Sequence, residues 1–426
     1  MSLERTPSRG DDRTEHRRTR PSPRRRTSAL LGTLAVAGAL LVAMPASSPR
    51  AATAAVAATT SRAAATGPLY RFVSMPDFIN SDYGDTRVLA GWDPGEPVTF
   101  PDSETTYLHT ILETIRAERP SFVLDGGDLV NGHWEDDVLH TGIFGPSATD
   151  RQRHDLAVLA GHLYYRTLLG LFSSTFGPGW VAYHGPSFFP QIGDHDIGDN
   201  PWRAGTVKTG QVGLHKYEFS KYFTRLANGA HRFGMHPAGP SAYTAYAFRR
   251  GADLFVSIDD FYRSGSGVRL TLDPQQLAWL THRLSTARSN GVRHIVVQGH
   301  LPVIGASLPY VGSSRLRLEG GAGSAFWRVL KRFHVDLYLA GEFHAVSVRH
   351  DGPYQVVHGS VPSYGKTNYL VGDVYPDRIV VTVKELRATL ADGTGTLQMP
   401  WNRYDRKGWV YDPQPTVVRS FVVPRT

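Results

Sequence analysis

The sequence predicts an α/β fold, a sandwich of two mixed β-sheets flanked by helices, with a short C-terminal β extension. Three observations predict it. Short apolar runs of strand length alternate along the chain with segments whose apolar residues recur at helical spacing. Four of those runs end close to a glycine followed by a carboxylate or an imidazole: GGDLV at 126–130, GDHD at 193–196, QGH at 298–300 and GEFH at 341–344. Such strand ends are where an α/β sheet exposes side chains to a ligand crevice. Finally, the 426 residues contain no cysteine. Disulfides, a thiolate metal site and a cysteine nucleophile are excluded, so stability outside the cell has to come from packing and metal.

The elements follow in order. The first strand is the run 69–74, apolar on both sides of a lone Arg71. Residues 104–119 carry Tyr107, Leu108, Ile111, Leu112 and Ile115 on one helix face, and Pro120 stops the helix. The strand 122–124 then delivers Asp128. A helical run at 151–172 precedes the apolar stretch 188–192, which delivers Asp194. Residues 254–258 form a buried strand, 275–289 a helix, and 294–297 the strand that delivers His300. A helix at 325–334 leads to the strand 337–339, which delivers Glu342 and His344. The tail holds a turn at Asp392-Gly393-Thr394-Gly395, aromatics at Trp401, Tyr404, Trp409 and Tyr411, and an apolar run at 417–423. It reads as β structure packed on the main domain, with a carbohydrate-binding module as the alternative use of the aromatics.

The N-terminus reads as a processing segment. Arginines crowd residues 13–26, an apolar run follows at 29–46, and small residues suited to signal-peptidase cleavage come next. Arg25-Arg26 ahead of the apolar run fits a twin-arginine signal, and a retained membrane anchor is the alternative. The expected organisation is an export signal at 1–46, a disordered Ala/Thr-rich leader at 47–66, a main domain at 67–385 and the β extension at 386–426. The protein is therefore expected to be secreted or held in the cell envelope, with no stable membrane span after cleavage. Residues 1–50 hold ten Arg against four acids, so +6 of the net +8 lies there and +2 on the remainder. The basic balance is mostly signal, and no nucleic-acid-binding surface is evident.

The four strings together read as a metal site. Two cations roughly 4 Å apart need one ligand that bridges them, others that bind one each, and open positions for water and substrate oxygens. Asp128 suits the bridge, since a carboxylate has two oxygens and its charge offsets the repulsion between cations. Asp194, His300, Glu342 and His344 would complete the shells. The preceding glycines Gly127, Gly193, Gly299 and Gly341 let the backbone turn sharply and approach the metal closely.

At these residues the chain resembles the calcineurin-like metallophosphoesterases, whose pattern runs Asp-x-His, Gly-Asp, Gly-Asn-His-Asp/Glu, Gly-His and Gly-His-x-His. The resemblance covers residues 67–385 and rests on the order of the motifs. It implies a metallophosphoesterase-type sandwich and a hydrolase that cuts phosphoester or phosphoanhydride bonds with a metal-activated hydroxide. The departures are informative. In the first motif Asp77 is the only carboxylate; it replaces either the family's aspartate or, if Met75 aligns with that aspartate, its histidine, and Asn80 is a further oxygen donor nearby. Asp194 stands where the family has asparagine, and Glu342 where it has the first histidine of the last motif. The ligand set Asp77, Asp128, Asp194, His300, Glu342 and His344 thus carries four carboxylates where the family pattern has two. Oxygen-rich shells suit harder ions, so Mn or Fe is favoured over Zn for the two expected divalent ions.

By the same resemblance His195 faces the substrate and protonates the leaving oxygen or stabilises the transition state, with Asp196 orienting its ring. Two loops are candidate pocket walls, one with His133 and Trp134, the other with Trp202 and Arg203. The tryptophans would stack on a base or sugar, or simply pack the loops. The expected substrate is a small phosphoester, with singly charged diesters favoured over dianionic monoesters at so acidic a site. The alternative is a secreted metal-binding protein of the same fold that has lost turnover.

Overall fold

Side-chain alternation along the central strands sorts residues onto two faces and so builds a layered core. In the computed structural model the described residues are 67–77, 102–130, 149–181, 187–265, 267–305, 315–362, 365–390 and 409–426. All belong to one compact unit, Ala64–Thr426. The signal and leader, Asn80, Asn131, His133, Trp134, the turn at 392–395, Trp401 and Tyr404 lie outside the described residues.

The first sheet is built on β1 (Tyr70–Ser74), β2 (Phe122–Asp125) and β3 (Phe188–Pro190), which run parallel. On the other side of β1 the sheet continues antiparallel through β12 (Lys366–Val374) and β13 (Arg378–Leu390). The far edge of β13 carries β14 (Trp409–Tyr411) and β15 (Thr416–Pro424), so the C-terminal strands are part of this sheet. The second sheet has the order β10-β11-β9-β8-β5-β4. Its strands are β4 (Tyr246–Arg250), β5 (Asp253–Ser257), β8 (Ile295–Gln298), β9 (Leu337–Ala340), β10 (Ser347–His350) and β11 (Tyr354–Val357). β5, β8, β9 and β11 are parallel, and β4 and β10 close the edges antiparallel. A hairpin of β6 (Phe261–Ser264) and β7 (Gly267–Leu270) stands apart.

Between the sheets lies one continuous apolar layer. Phe72, Phe122, Leu124 and Phe189 point into it from the first sheet, and Phe255, Val296, Leu337, Leu339 and Val356 from the second. Their strand neighbours Val73, Val123, Val256, Val297 and Tyr338 belong instead to the core that the helices cover. That outer core takes the apolar stripes of α1 (Asp102–Ala117), α3 (Arg166–Phe176), α5 (Pro274–Ser289) and α6 (Ala325–Arg332). Phe172 of α3 lies 4.2 Å from Phe188, and Phe326 and Trp327 of α6 meet Tyr338 edge-on. The architecture is therefore the α/β sandwich of two mixed sheets that the alternation implied. No helix among the described residues is long and apolar enough to cross a membrane.

Two differences from the sequence reading have clear causes. The single helix expected at 151–172 is α2 (Asp150–Ala160), one π-helical turn at Gly161–Tyr165, and α3. Gly161 is where α4 (Val207–Phe223) comes close: a Cβ there would stand 3.2 Å from the Tyr222 ring and 3.3 Å from a Glu218 carboxylate oxygen. α4 buries Val212, Phe219 and Phe223 in the core, but its buried face also takes Gln211, His215 and Glu218 and it contains Gly210 and Gly213, which dilutes the apolar spacing. Glu218 is compensated by Lys221 at 2.8 Å.

The inter-sheet layer centres on Phe255, 2 % exposed. It meets Phe122 edge-on at 5.0 Å and stacks on Phe248 at 5.2 Å. Phe255→Ala is expected to cost about 3–5 kcal/mol in urea unfolding at fixed metal concentration. A cost below about 1 kcal/mol would mean the layer is not continuous there.

Candidate metal centre

The parallel strands of both sheets end at the same rim, and five loops bring six polar residues together there. Asp77 follows β1, Asp128 follows β2, Asp194 follows β3, His300 follows β8, and Glu342 and His344 follow β9. All six are between 0 and 5 % exposed. Ligand atoms of Asp128, Asp194, His300 and Glu342 lie within 4.8 Å of one another. Asp77 Oδ1 stands 4.0 Å from His300 Nε2 and 3.8 Å from His344 Nε2. Sequence positions more than two hundred residues apart thus share one buried cluster.

The backbone is bent to achieve this. Asp77, Asp128, Glu342 and His344 have left-handed φ angles of 49° to 65°. Such angles are uncommon outside glycine and cost about 1–3 kcal/mol each, which the surrounding structure has to hold in place. At Gly127 φ is 96°, and a Cβ would lie 2.9 Å from His300 Nδ1 and 2.7 Å from Gly193 N. Only glycine permits the second- and third-motif loops to come so close.

The decisive geometry is at His300. Its Nδ1 lies 2.8 Å from the Gly126 carbonyl oxygen, which can only accept, so Nδ1 carries the proton. Nε2 then faces Asp194 Oδ1 at 3.0 Å, Asp128 Oδ2 at 3.3 Å and Glu342 Oε2 at 3.6 Å. Neither Nε2 nor Asp194 Oδ1 has a hydrogen-bond partner. Acceptors facing acceptors in a buried site are stable only around a cation, either a second proton on the ring or a metal ion.

The ionisation of the cluster expresses the same demand. Burial pushes the His300 ring down, but Asp128, Asp194 and Glu342 outweigh it and hold the ring well above the ordinary histidine range. Burial, with Asp194 adding to it, pushes Glu342 up to about 8. Asp77 is raised well above the carboxylate range, first by burial and then, against the relief of His300, by Asp128 and Glu342. Burial would also raise Asp194, yet His300 and His195 outweigh it and hold the carboxyl low. Burial lowers His344 to about 4, which favours a neutral ring, the form that binds a metal.

Two buried carboxylates hold the loops. Asp196 Oδ2 accepts the backbone N–H groups of Asp128 at 3.0 Å and Gly193 at 2.8 Å, and Oδ1 accepts the Tyr165 hydroxyl at 3.2 Å. These bonds tie the second motif to the third. Asp260, just past β5, accepts the N–H groups of His300 at 3.3 Å and Leu301 at 2.8 Å, with Gln191 Nε2 at 2.9 Å. Burial is the main cause that pushes both carboxyls up to about 7. Sequence reasoning missed Asp260, although Asp259-Asp260 follows an apolar strand as the other ligand motifs do; what it lacks is the glycine.

His195 sits at the mouth, its side chain 17 % exposed, with its N–H on Asp128 Oδ1 at 3.0 Å. The carboxylate beside its ring is Asp199, Oδ1 at 3.6 Å from Nε2, while the bonds of Asp196 run to the loop backbone and Tyr165. Asn200 Nδ2 bridges Asp199 Oδ1 at 2.9 Å and Asp194 Oδ2 at 3.1 Å, which fixes the Asp194 rotamer. Trp202 packs edge-on against Phe261 at 5.7 Å and donates to the Ile197 carbonyl at 3.4 Å. Arg203 is exposed, and its carbonyl accepts the Thr209 hydroxyl at 2.8 Å near the start of α4.

No known protein family matches the chain, and no curated protein matches it. Solved structures do. GAP50, the anchor in the inner membrane complex of Plasmodium, is similar over 84 % of this chain and 89 % of its own, at 13 % identity and a TM-score of 0.39. A purple acid phosphatase from yellow lupin (Lupinus luteus) seeds is similar over 84 % of this chain at 12 % identity and a TM-score of 0.44. A 5'-nucleotidase precursor from Thermus thermophilus is similar over 84 % at 11 % identity and a TM-score of 0.32. This chain spans about half the length of the last two, 54 % of each.

Because Asp260 acts on His300 through the backbone, Asp260→Ala is expected to leave the fold intact and weaken Mn²⁺ binding about 10–100-fold by titration calorimetry. Unchanged affinity would show that the loop after β8 holds its shape alone. For the wild-type chain, cation at about 100 times its Kd should add about 2.7 kcal/mol of stability, lost on chelation. A melting temperature indifferent to chelator would contradict a site of this design.

Proposed function

We propose that this chain is an exported metal-dependent phosphoesterase that hydrolyses small phosphoesters, diesters in preference to monoesters. The observation that carries the reading is His300 Nε2 directed at three buried carboxylates, with the partly exposed His195 beside them. Divalent cations bound there would lower the pKa of a coordinated water into the neutral range and neutralise phosphoryl oxygens. Mn or Fe is favoured over Zn, because the donors are four carboxylates and two imidazoles.

The chain's own residues divide the remaining work. Asp128 is assigned the shared ligand because a carboxylate offers two oxygens; one lies 3.3 Å from His300 Nε2 and the other accepts the His195 backbone N–H. His195, within reach of solvent, holds the proton that the leaving oxygen takes, so that oxygen departs as an alcohol instead of a costly alkoxide. Asp199 beside Nε2 orients the ring. Asp196 and Asp260 keep the ligand loops in register. The dense negative charge disfavours a dianionic monoester more than a singly charged diester. Export rests on the arginine-rich head and apolar run at the N-terminus. One observation favours metal binding without turnover: Met75, where one register of the first motif would put an aspartate, is 1 % exposed in the apolar core and supplies no donor.

Hydrolysis of an aryl phosphodiester with added Mn²⁺ separates the two. Activity should vanish with chelator and with Asp128→Asn. His195→Ala should keep its metal and lose about 100-fold or more of turnover. Turnover that survives Asp128→Asn would refute the site, and a metal-loaded wild-type chain inert to every phosphoester tried would establish the binding-only reading.

A further inference from the structure

We infer that Asn368 and Gly359, neither of them a donor to a cation, set the position of the candidate ligand Asp77. Asn368 clamps the loop after β11, and Gly359 of that loop packs its bare backbone against the Asp77 carboxylate. The role rests on the metal reading of the cluster, and only its consequence for turnover rests on the proposed activity.

β11 runs parallel to β9 and ends at the same rim, yet the loop that follows it, His358–Ser360, brings none of the six candidate ligands there. Its His358 N–H donates to the Ala340 carbonyl at 3.0 Å, which keeps the loop beside β9. At Gly359 φ is 98°, and a Cβ would lie 2.5 Å from Asp77 Oδ2 and 2.5 Å from the Pro76 carbonyl oxygen. A Cβ at Gly341 would likewise lie 2.9 Å from Oδ2. Two backbones without side chains thus pack against one carboxylate, an approach that only glycine permits. Oδ1 accepts the Glu342 N–H at 3.2 Å, whereas Oδ2 has no hydrogen-bond partner. Oδ2 is therefore held by packing alone, and its lone pairs stay uncommitted.

What keeps Gly359 in place is Asn368 of β12. β12 runs antiparallel to β1 with Leu370 opposite Ser74, so Asn368 stands beside the chain as it leaves β1 for Asp77. Its Oδ1 accepts the Gly359 N–H at 2.7 Å, and its Nδ2 donates to the Gly359 carbonyl at 3.0 Å. One buried amide satisfies both polar groups of one residue and so fixes its distance and its rotation. The Thr367 hydroxyl adds a bond to the Ser360 carbonyl at 2.8 Å. The clamp ties a loop of the second sheet to a strand of the first, across the point where Asp77 enters the site. Removing the amide leaves a buried N–H and a buried carbonyl unpaired, so Gly359 moves to find other partners and Asp77 loses its support.

The test uses the purified full chain, stripped with chelator and titrated with Mn²⁺ by calorimetry well below its unfolding temperature. Asn368→Ala is expected to weaken Mn²⁺ binding about tenfold or more. Asn368→Gln, which displaces the amide by one methylene, carries the same expectation and stands in should the alanine variant not fold. Phe255→Ala, in the inter-sheet layer, is the structural control: it should lose stability and keep its Mn²⁺ affinity. Asp77→Ala should weaken binding by itself, and adding Asn368→Ala to it should cost no more than about twofold further, because both changes act on one ligand. Unchanged affinity in the Asn368 variants, an equal loss in Phe255→Ala, or a full tenfold loss added on top of Asp77→Ala would overturn the inference. Phosphodiester hydrolysis is scored separately: coupled Mn²⁺ binding without turnover would refute the proposed activity alone, and turnover with Mn²⁺ affinity indifferent to Asn368 would refute the positioning role alone.

Discussion

Everything at the rim of this sandwich depends on an electrostatic conflict that only a cation resolves. The Gly126 carbonyl fixes the proton on His300 Nδ1, which leaves the other nitrogen turned toward Asp128, Asp194 and Glu342. Without positive charge at that point the site would bury several groups whose solvation has been given up for nothing. With it, the same groups become a ligand shell. The left-handed backbones at Asp77, Asp128, Glu342 and His344 belong to the same account, since strain of that kind persists where surrounding contacts over-determine it.

Those contacts come from the layered fold. The parallel strands of the two sheets deliver their ends to one rim, and the aromatic layer around Phe122 and Phe255 locks the sheets face to face. Rigidity passes outward through two buried carboxylates. Asp196 joins the loops after β2 and β3, while Asp260 spans from the loop after β5 to that after β8. The π-helical turn that brings Tyr165 to Asp196 extends this bracing into the helical layer.

Much of this is legible in the sequence, for a physical reason. Strands buried on both faces are short, apolar and unmistakable, so the residues just past them read as rim residues from the pattern alone. That logic reaches Asp128, Asp194, His300, Glu342 and His344. It reaches Asp77 less directly, because no glycine leads into it and no histidine stands two residues after it. Residues that act through the backbone or on a neighbour leave fainter marks. Asp260 has no glycine before it, and Asp199 and Asn200 sit in a loop with no strand to announce them. α4 is hard to read because its buried face mixes Val212, Phe219 and Phe223 with Gln211, His215 and Glu218, the last paired with Lys221, so polar residues interrupt the hydrophobic period.

The most direct test is anomalous diffraction from crystals grown with Mn²⁺, collected on both sides of the manganese edge. The expected result is a peak about 2.0–2.6 Å from His300 Nε2 and from oxygens of Asp128, Asp194 and Glu342. Density with no anomalous signal there, and with His300 Nε2 bonded directly to a carboxylate, would mean that a proton supplies the positive charge and that the centre is not a metal site.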